Sequence, residues 1–247
     1  MNRRISQQNT FVLAAAKPGI RRPWMVFLVL AVCAFTGCAS RPIPLYEAEG
    51  AVADYIDNGK YAADVKTVVS QAQAYLEQRA NRGHADAAPL AIVLDVDETA
   101  LSNWPAYKLN NYSRIMHGPC NLTDGPCGIF AYQAMGVSPA IQPTVNLVRR
   151  ANALNVKVIF ISGRNGNLRD VTERNLRQQG YEFDKLIVYP PDMEKFPSAV
   201  QFKAPQRAAL EADGTKIILC MGDQQSDLDG GHCERAFKLP NPVYFLP

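Results

Sequence analysis

Acids in short clusters are the most informative chemistry of this chain. Asp95-Val96-Asp97-Glu98-Thr99 follows an apolar run over residues 89–94, and Gly222-Asp223-Gln224-Gln225-Ser226-Asp227 follows another over 216–221. Residues i and i+2 of an extended segment project to the same side, so Asp95 and Asp97 can converge on one point. Between the two clusters come Ser162-Gly163-Arg164 and Lys203, which add a hydroxyl and cations. Gathered carboxylates repel one another unless a cation sits among them, and hard oxygen ligands without histidine suit Mg2+. A magnesium ion, a lysine and a hydroxyl together cage a phosphoryl group, whose transfer needs positioning and stabilisation of charge on its equatorial oxygens. One carboxylate set in line can attack phosphorus and form an aspartyl phosphate. A second can protonate the leaving oxygen and then activate water.

These groups lie far apart in sequence, so the fold must bring them together. Tyr61, Val65, Val68, Val69, Ala72, Tyr75 and Leu76 recur at helical spacing and predict an amphipathic helix over about 60–80. Short continuous apolar runs at 89–94, 156–161, 185–189 and 216–221 predict buried parallel strands, with a last strand near 236–239. Helices are expected over 139–154, over 168–179 with Gly180 as the stop, and over 204–212 with Lys203 at its opening. Strand–helix alternation implies right-handed crossovers and a parallel sheet covered on both faces. In such sheets ligands bind outside the carboxyl ends of the strands, where the acids, Ser162 and Lys203 fall. Residues 103–138, rich in Asn, Gly, Pro and aromatics, fit no alternation and read as an insertion over the sheet edge.

Five basic residues and no acid occupy residues 1–37; removing them from 26 Lys+Arg leaves 21 against 23 Asp+Glu, so the formal +3 resides in the front of the chain. A body without basic excess has no footprint for a nucleic-acid polymer. With 47% apolar and 20% charged residues, the 247-residue chain is neither disordered nor a polytopic membrane protein. Arg21-Arg22-Pro23 leads into an apolar run over 24–35 that ends in small residues, the pattern of a secretory signal. Phe35-Thr36-Gly37-Cys38 resembles a bacterial lipobox, with Phe35 in place of the usual Leu. The expectation is a lipoprotein-type signal over 1–37, a lipidated Cys38, a tether over 38–50 and a catalytic domain over 51–247. The protein would then be exported to the periplasm or outer membrane and held there by lipid. Plain secretion with cleavage near Ala39 is the alternative.

Export makes the cysteines interpretable. Cys120, Cys127, Cys220 and Cys233 remain in the mature chain, an even number in an oxidising compartment. Three pairings are open; the local one, Cys120–Cys127 and Cys220–Cys233, closes short loops and is favoured. A metal site from these cysteines has no C-x-x-C pair to support it.

Asp95-Val-Asp-Glu-Thr, Ser162, Lys203 and Gly222-Asp-x-x-x-Asp227, in this order, resemble the four motifs of the haloacid dehalogenase (HAD) phosphatase superfamily. Asp95-Val-Asp-Glu-Thr-Ala-Leu-Ser-Asn103, Phe160-Ile-Ser-Gly-Arg164, Phe202-Lys203 with Arg207, and Phe237-Lys-Leu-Pro-Asn-Pro242 narrow the resemblance to its IIIB acid phosphatases. That group includes bacterial lipoprotein acid phosphatases and plant vegetative storage proteins. The resemblance implies a HAD-like Rossmannoid three-layer α/β sandwich with a small insertion after the first catalytic strand. It implies Asp95 as nucleophile and metal ligand, and Asp97 as acid/base and ligand through its carbonyl. Asp223 would complete the protein's Mg2+ ligands, Ser162 and Lys203 would hold phosphoryl oxygens, and Asp227 would stand behind them, orienting Lys203 or a metal-bound water. Ala204 stands where the family often has Ser. Trp104, Tyr107 and Tyr112 follow the first motif and are candidates for stacking on a planar leaving group; packing within the insertion is the competing role. Arg164, Arg207 and His117 are expected to be ordinary surface groups, and Thr99 either a cap or a phosphate contact. The resulting expectation is a phosphomonoesterase for small organic esters, nucleotides among them. A binding or storage lipoprotein and a phosphotransferase are the alternatives. Oligomeric state stays open.

Overall fold

The computed structural model describes residues 42–82, 88–191 and 198–246. The signal over 1–37 and the lipidation site Cys38 lie outside them. Five strands form one sheet: β1 (Leu90–Leu94), β2 (Lys157–Asn165), β3 (Lys185–Tyr189), β4 (Lys216–Gly222) and β5 (Arg235–Lys238). Their spatial order is β3-β2-β1-β4-β5, and every pairing is parallel.

Side chains alternate across the sheet with period 2 and divide the core in two. Leu90, Ile92, Leu94, Val158, Phe160 and Ile218 pack against α2 (Lys60–Asn81) and α5 (Gln142–Ala153), through Val65, Val69, Leu76, Leu147 and Val148. Ala91, Val93, Ile159, Ile161 and Ile217 face the other way, toward Phe202 and Leu210 of α7 (Ala199–Ala212). Helices, sheet and helix make the expected three layers, and α6 (Arg169–Gln178) contributes Leu176 to the first face.

Several boundaries differ from the sequence expectation. A helix α1 (Leu45–Asp57) occupies part of the stretch assigned to the tether; Pro44, in extended geometry, sets its start. None of its residues is fully buried; only Tyr55 and Ile56, at its end, pack against the main core. β2 runs four residues past its predicted end, which puts Ser162 and Arg164 within the strand's irregular last part. α7 begins at Ala199, capped by Ser198, whose Oγ accepts from Gln201 N at 3.3 Å. The expected start at 204, with Lys203 at the opening, is five residues late: Pro205 lies inside the helix and Lys203 sits in the second turn.

The insertion contains two short helices, α3 (Trp104–Leu109) and α4 (Ile129–Met135). It has a small core of its own, Ala106, Tyr107, Cys127, Ile129 and Tyr132. Both local disulfides are formed, Cys120–Cys127 and Cys220–Cys233. The insertion covers the carboxyl ends of the strands, where its residues line the main cavity, and not the side edge of the sheet. No helix among the described residues is long and apolar enough to cross a membrane.

Candidate active site

Asp95 is the first residue beyond β1 and is tied to the neighbouring strand by its N–H, which donates to Met221 O at 2.9 Å. The chain then turns tightly. Glu98 adopts a left-handed φ of 54°, and the N–H groups of Ala100 and Leu101 both donate to Val96 O. A non-glycine residue held in that region is a strained conformation that surrounding contacts must enforce. Glu98, fully buried, receives Asn103 N at 2.6 Å, Asn103 Nδ2 at 3.1 Å and Tyr244 OH at 2.9 Å. Asn103 is thereby committed to acids and gives α3 no side-chain cap.

From the other side, β4 delivers Asp223. Gly222 is required there because a Cβ on it would lie 2.5 Å from Asp227 Cβ and Oδ2. Asp227 folds back: its Oδ2 accepts Gln224 N at 3.0 Å, and its Oδ1 accepts Lys203 Nζ at 2.7 Å. Lys203 Nζ also donates a very short hydrogen bond to Asp95 Oδ1. One buried cation thus bridges two buried carboxylates. Arg207, fully buried, donates to Gly231 O at 2.9 Å, to Asp227 O at 2.7 Å and to Asp229 O. It pins the backbone of the loop that carries Asp227.

Asp97 points into a different set of partners. Arg164 grips it through Nε at 3.1 Å and Nη2 at 2.8 Å, and Asn103 Nδ2 and Gln133 Nε2 donate to it at 2.7 and 3.1 Å. Arg164 is 2% exposed. Both arginines are therefore interior parts of the site, not the surface cations expected; each satisfies partners remote in sequence, which spacing along the chain does not reveal. Ser162 is fully buried and its Oγ accepts Arg164 N at 3.2 Å. Thr99 Oγ1 is buried without a partner, while Thr99 O accepts Thr144 Oγ1 at 2.7 Å.

Carboxylate oxygens of Asp95, Asp223 and Asp227 all lie within 4.8 Å of one another. Burial, and then the charges of Asp227, Asp223 and Asp97, push Asp95 well above the usual carboxylate range, against the pull of Lys203. Burial and the charges of Asp227 and Glu98 push Asp223 up to about 7. Burial and the Asp97 charge likewise push Glu98 up to about 8. Burial acts in the same direction on Asp97, but Arg164, Asn103 and Gln133 outweigh it and hold Asp97 below its ordinary value. Lys203 would be lowered by burial, and its two carboxylates reverse that. Three mutually repelling hard-oxygen groups fit a divalent cation, which would relieve the repulsion.

A cavity of about 370 Å³ opens above these groups. Asp95, Asp97, Lys203, Asp223 and Asp227 face it, joined by Arg164 and Gln133, and its outer wall includes Tyr107, Arg114, Phe130 and Tyr244. Of the three aromatic candidates only Tyr107 lines it. Trp104 packs edge-on between Tyr61 and Tyr107, at 5.0 and 5.6 Å, and Tyr112 packs against the insertion's own core. His117 is exposed and packs edge-on against Phe130 at 5.2 Å. The sequence assigned no role to Asn103, Gln133, Asn241 or Tyr244, although Asn103 and Asn241 stand within motifs that carry the family resemblance.

A strand-end acid cluster with a buried lysine on this parallel sheet is the arrangement of the HAD superfamily, and the chain belongs to it. More narrowly it belongs to the group described as HAD superfamily, subfamily IIIB (Acid phosphatase), whose family model matches residues 41–247, and it is a phosphomonoesterase of that kind. It is 36% identical over 199 residues to the stem 28 kDa glycoprotein of Glycine max, covering 79% of this chain and 74% of that one. To acid phosphatase 1 of Solanum lycopersicum it is 33% identical over 156 residues, 62% of this chain and 58% of that one. Its fold is similar to the class C acid phosphatase from Bacillus anthracis with tungstate bound, at TM-score 0.62 and 19% identity, covering 80% of this chain and 86% of that one.

Proposed function

We propose that the protein is an exported, Mg2+-dependent phosphatase that hydrolyses small organic phosphomonoesters through an aspartyl phosphate on Asp95. The observation that carries this is the convergence of Asp95, Asp223 and Asp227 around Lys203 at the floor of a cavity that Asp97 also faces. Asp95 Oδ attacks phosphorus as the bond to the leaving oxygen breaks, and Asp97 gives that oxygen its proton. Water then attacks the phosphorus of the aspartyl phosphate, losing its proton to Asp97, and inorganic phosphate leaves as the bond to Asp95 breaks. Arg164 favours the Asp97 carboxylate left after the first step, the form that accepts water's proton and so regenerates the protonated acid with which the next cycle begins. Lys203 and Ser162 neutralise and orient phosphoryl oxygens. Asp95, the Asp97 carbonyl and Asp223 would hold Mg2+, which supplies Lewis-acid stabilisation of charge on those oxygens, with Asp227 orienting Lys203.

The aromatic faces of Tyr107 and Tyr244 in the cavity wall support planar leaving groups, nucleosides included. The formed disulfides support an oxidising compartment, and the lipobox-like Phe35-Thr-Gly-Cys38 supports a lipid anchor there. p-Nitrophenyl phosphate turnover that EDTA abolishes and Mg2+ restores is the expected result. Asp95→Asn should lose at least about a thousandfold in kcat, and unchanged turnover in that variant rejects the nucleophile. Membrane release of the Cys38→Ser variant tests the anchor.

A further inference from the structure

The segment 241–246, beyond β5, lies against both acid loops. Asn241 Nδ2 donates to Asp223 Oδ2 at 2.7 Å, and Gln224 Nε2 donates to the same oxygen at 2.6 Å. Asn241 Oδ1 is occupied by the segment's own backbone, accepting Val243 N at 2.9 Å and Tyr244 N at 3.2 Å. That turn fixes which way the carboxamide faces, because only its nitrogen has protons to give Asp223. The segment is anchored in turn: Leu246 N donates to Gln224 Oε1 at 2.9 Å, Ser226 Oγ donates to Leu246 O at 2.9 Å, and Tyr244 OH reaches Glu98.

We propose that Asn241 is a positioning residue, which sets the rotamer of Asp223 so that Oδ1 is the oxygen turned to the cation. This rests on the Mg2+ assignment above. Both described donors to Asp223 fall on Oδ2, which leaves Oδ1 free of them. Asp223 is 2% exposed, so bulk water has little access to replace a lost donor. Groups that hydrogen-bond a metal-binding carboxylate orient it, and their removal weakens metal binding by about 10–100-fold. Asn241 is thus a remote part of the cation site, delivered by a segment that carries no ligand itself.

The test compares Asn241→Ser and Asn241→Ala with the wild type by Mn2+ titration under electron paramagnetic resonance, on protein first stripped with a chelator. Serine keeps an oxygen that can accept the turn's N–H groups but is too short to reach Asp223. The expected result is Mn2+ affinity weaker by about tenfold or more in both variants. In Asn241→Ser the metal-free melting temperature should stay near wild type, and saturating Mg2+ should recover most of kcat. Tyr244→Phe, which loses the Glu98 bond but keeps the turn, should bind Mn2+ within twofold of wild type. Wild-type Mn2+ affinity in Asn241→Ser overturns the proposal. So does an Asn241→Ser chain that fails to melt cooperatively, since Asn241 would then be a folding residue. A wild type that binds no Mn2+ rejects the magnesium assignment, and this inference with it.

Discussion

The floor and the outer wall of the cavity are built on opposite plans. The floor stands on regular elements: Asp95 and Asp223 at the ends of adjacent strands, Lys203 on a capped helix, and Arg207 behind them. The wall, Tyr244 apart, comes from the insertion, two short helices joined by irregular chain and stapled by Cys120–Cys127. The floor's polar groups are buried and mutually bonded, whereas Ile115, Leu122, Phe130, Met135 and Val137 of the insertion are exposed. Groups that must hold charge at fixed distances sit on the rigid scaffold, and groups that meet variable leaving groups sit on loops. The chemical step should therefore answer to the floor and selectivity to the wall.

Among changes that spare Asp95, Lys203→Met cuts deepest. It leaves Asp95 and Asp227 buried without their shared cation, so kcat should drop by about 100-fold or more with every ester tested. An ester-dependent loss would blur the division between floor and wall. Replacing Cys120 and Cys127 together by Ala removes a closure seven residues apart in sequence. That should lower stability by about 2–3 kcal/mol, read as a melting shift, with turnover at low temperature retained. Phe130→Ala, at the cavity rim and 39% exposed, should raise KM for aryl or nucleoside esters by about three- to tenfold, on the order of 1 kcal/mol of contact. A small aliphatic phosphate should be unaffected. Equal changes for both ester types would remove the wall from substrate selection.

The smallest effect is expected at the far, amino end of the sheet. Hydrogen bonds from Arg79, against a smaller opposing effect of burial, and then Tyr75 hold Glu234 below its ordinary value near 4.5. A lowered carboxyl stabilises the fold above its unfolded value, and that contribution fades as pH falls through the folded value. Glu234→Gln should cost under about 1 kcal/mol at neutral pH and nothing once the wild-type carboxyl is protonated. Melting curves at pH 7 and pH 3 check this.

The same division governs what could be read from sequence. Strand runs such as 89–94 and the stripe from Tyr61 to Leu76 were legible because periodicity is local, Asp95, Asp97 and Asp223 because they follow strand ends, and Lys203 because it falls in the helix after the third strand. The disulfide pairing followed from the short loops that the local pairing closes. Arg164 was misjudged because its partner Asp97 lies 67 residues away, and Arg207 because it serves carbonyls of a distant loop. Asn241 stood in the Phe237–Pro242 motif without an assigned role, and Tyr244 gave no signal, since their segment carries neither a charge pattern nor a period. α1 was hidden for another reason: none of its residues is fully buried, and it sets only Tyr55 and Ile56 against the core.

The Asp97 carboxylate is touched from both margins of the insertion, by Asn103 just before α3 and by Gln133 within α4. The acid/base proposed above is thus moored to the very segment that varies the wall. Between these two footings the loop can be rewritten, lengthened or exchanged for another without disturbing proton transfer, whereas a graft that moves either footing would retune catalysis along with taste for substrate.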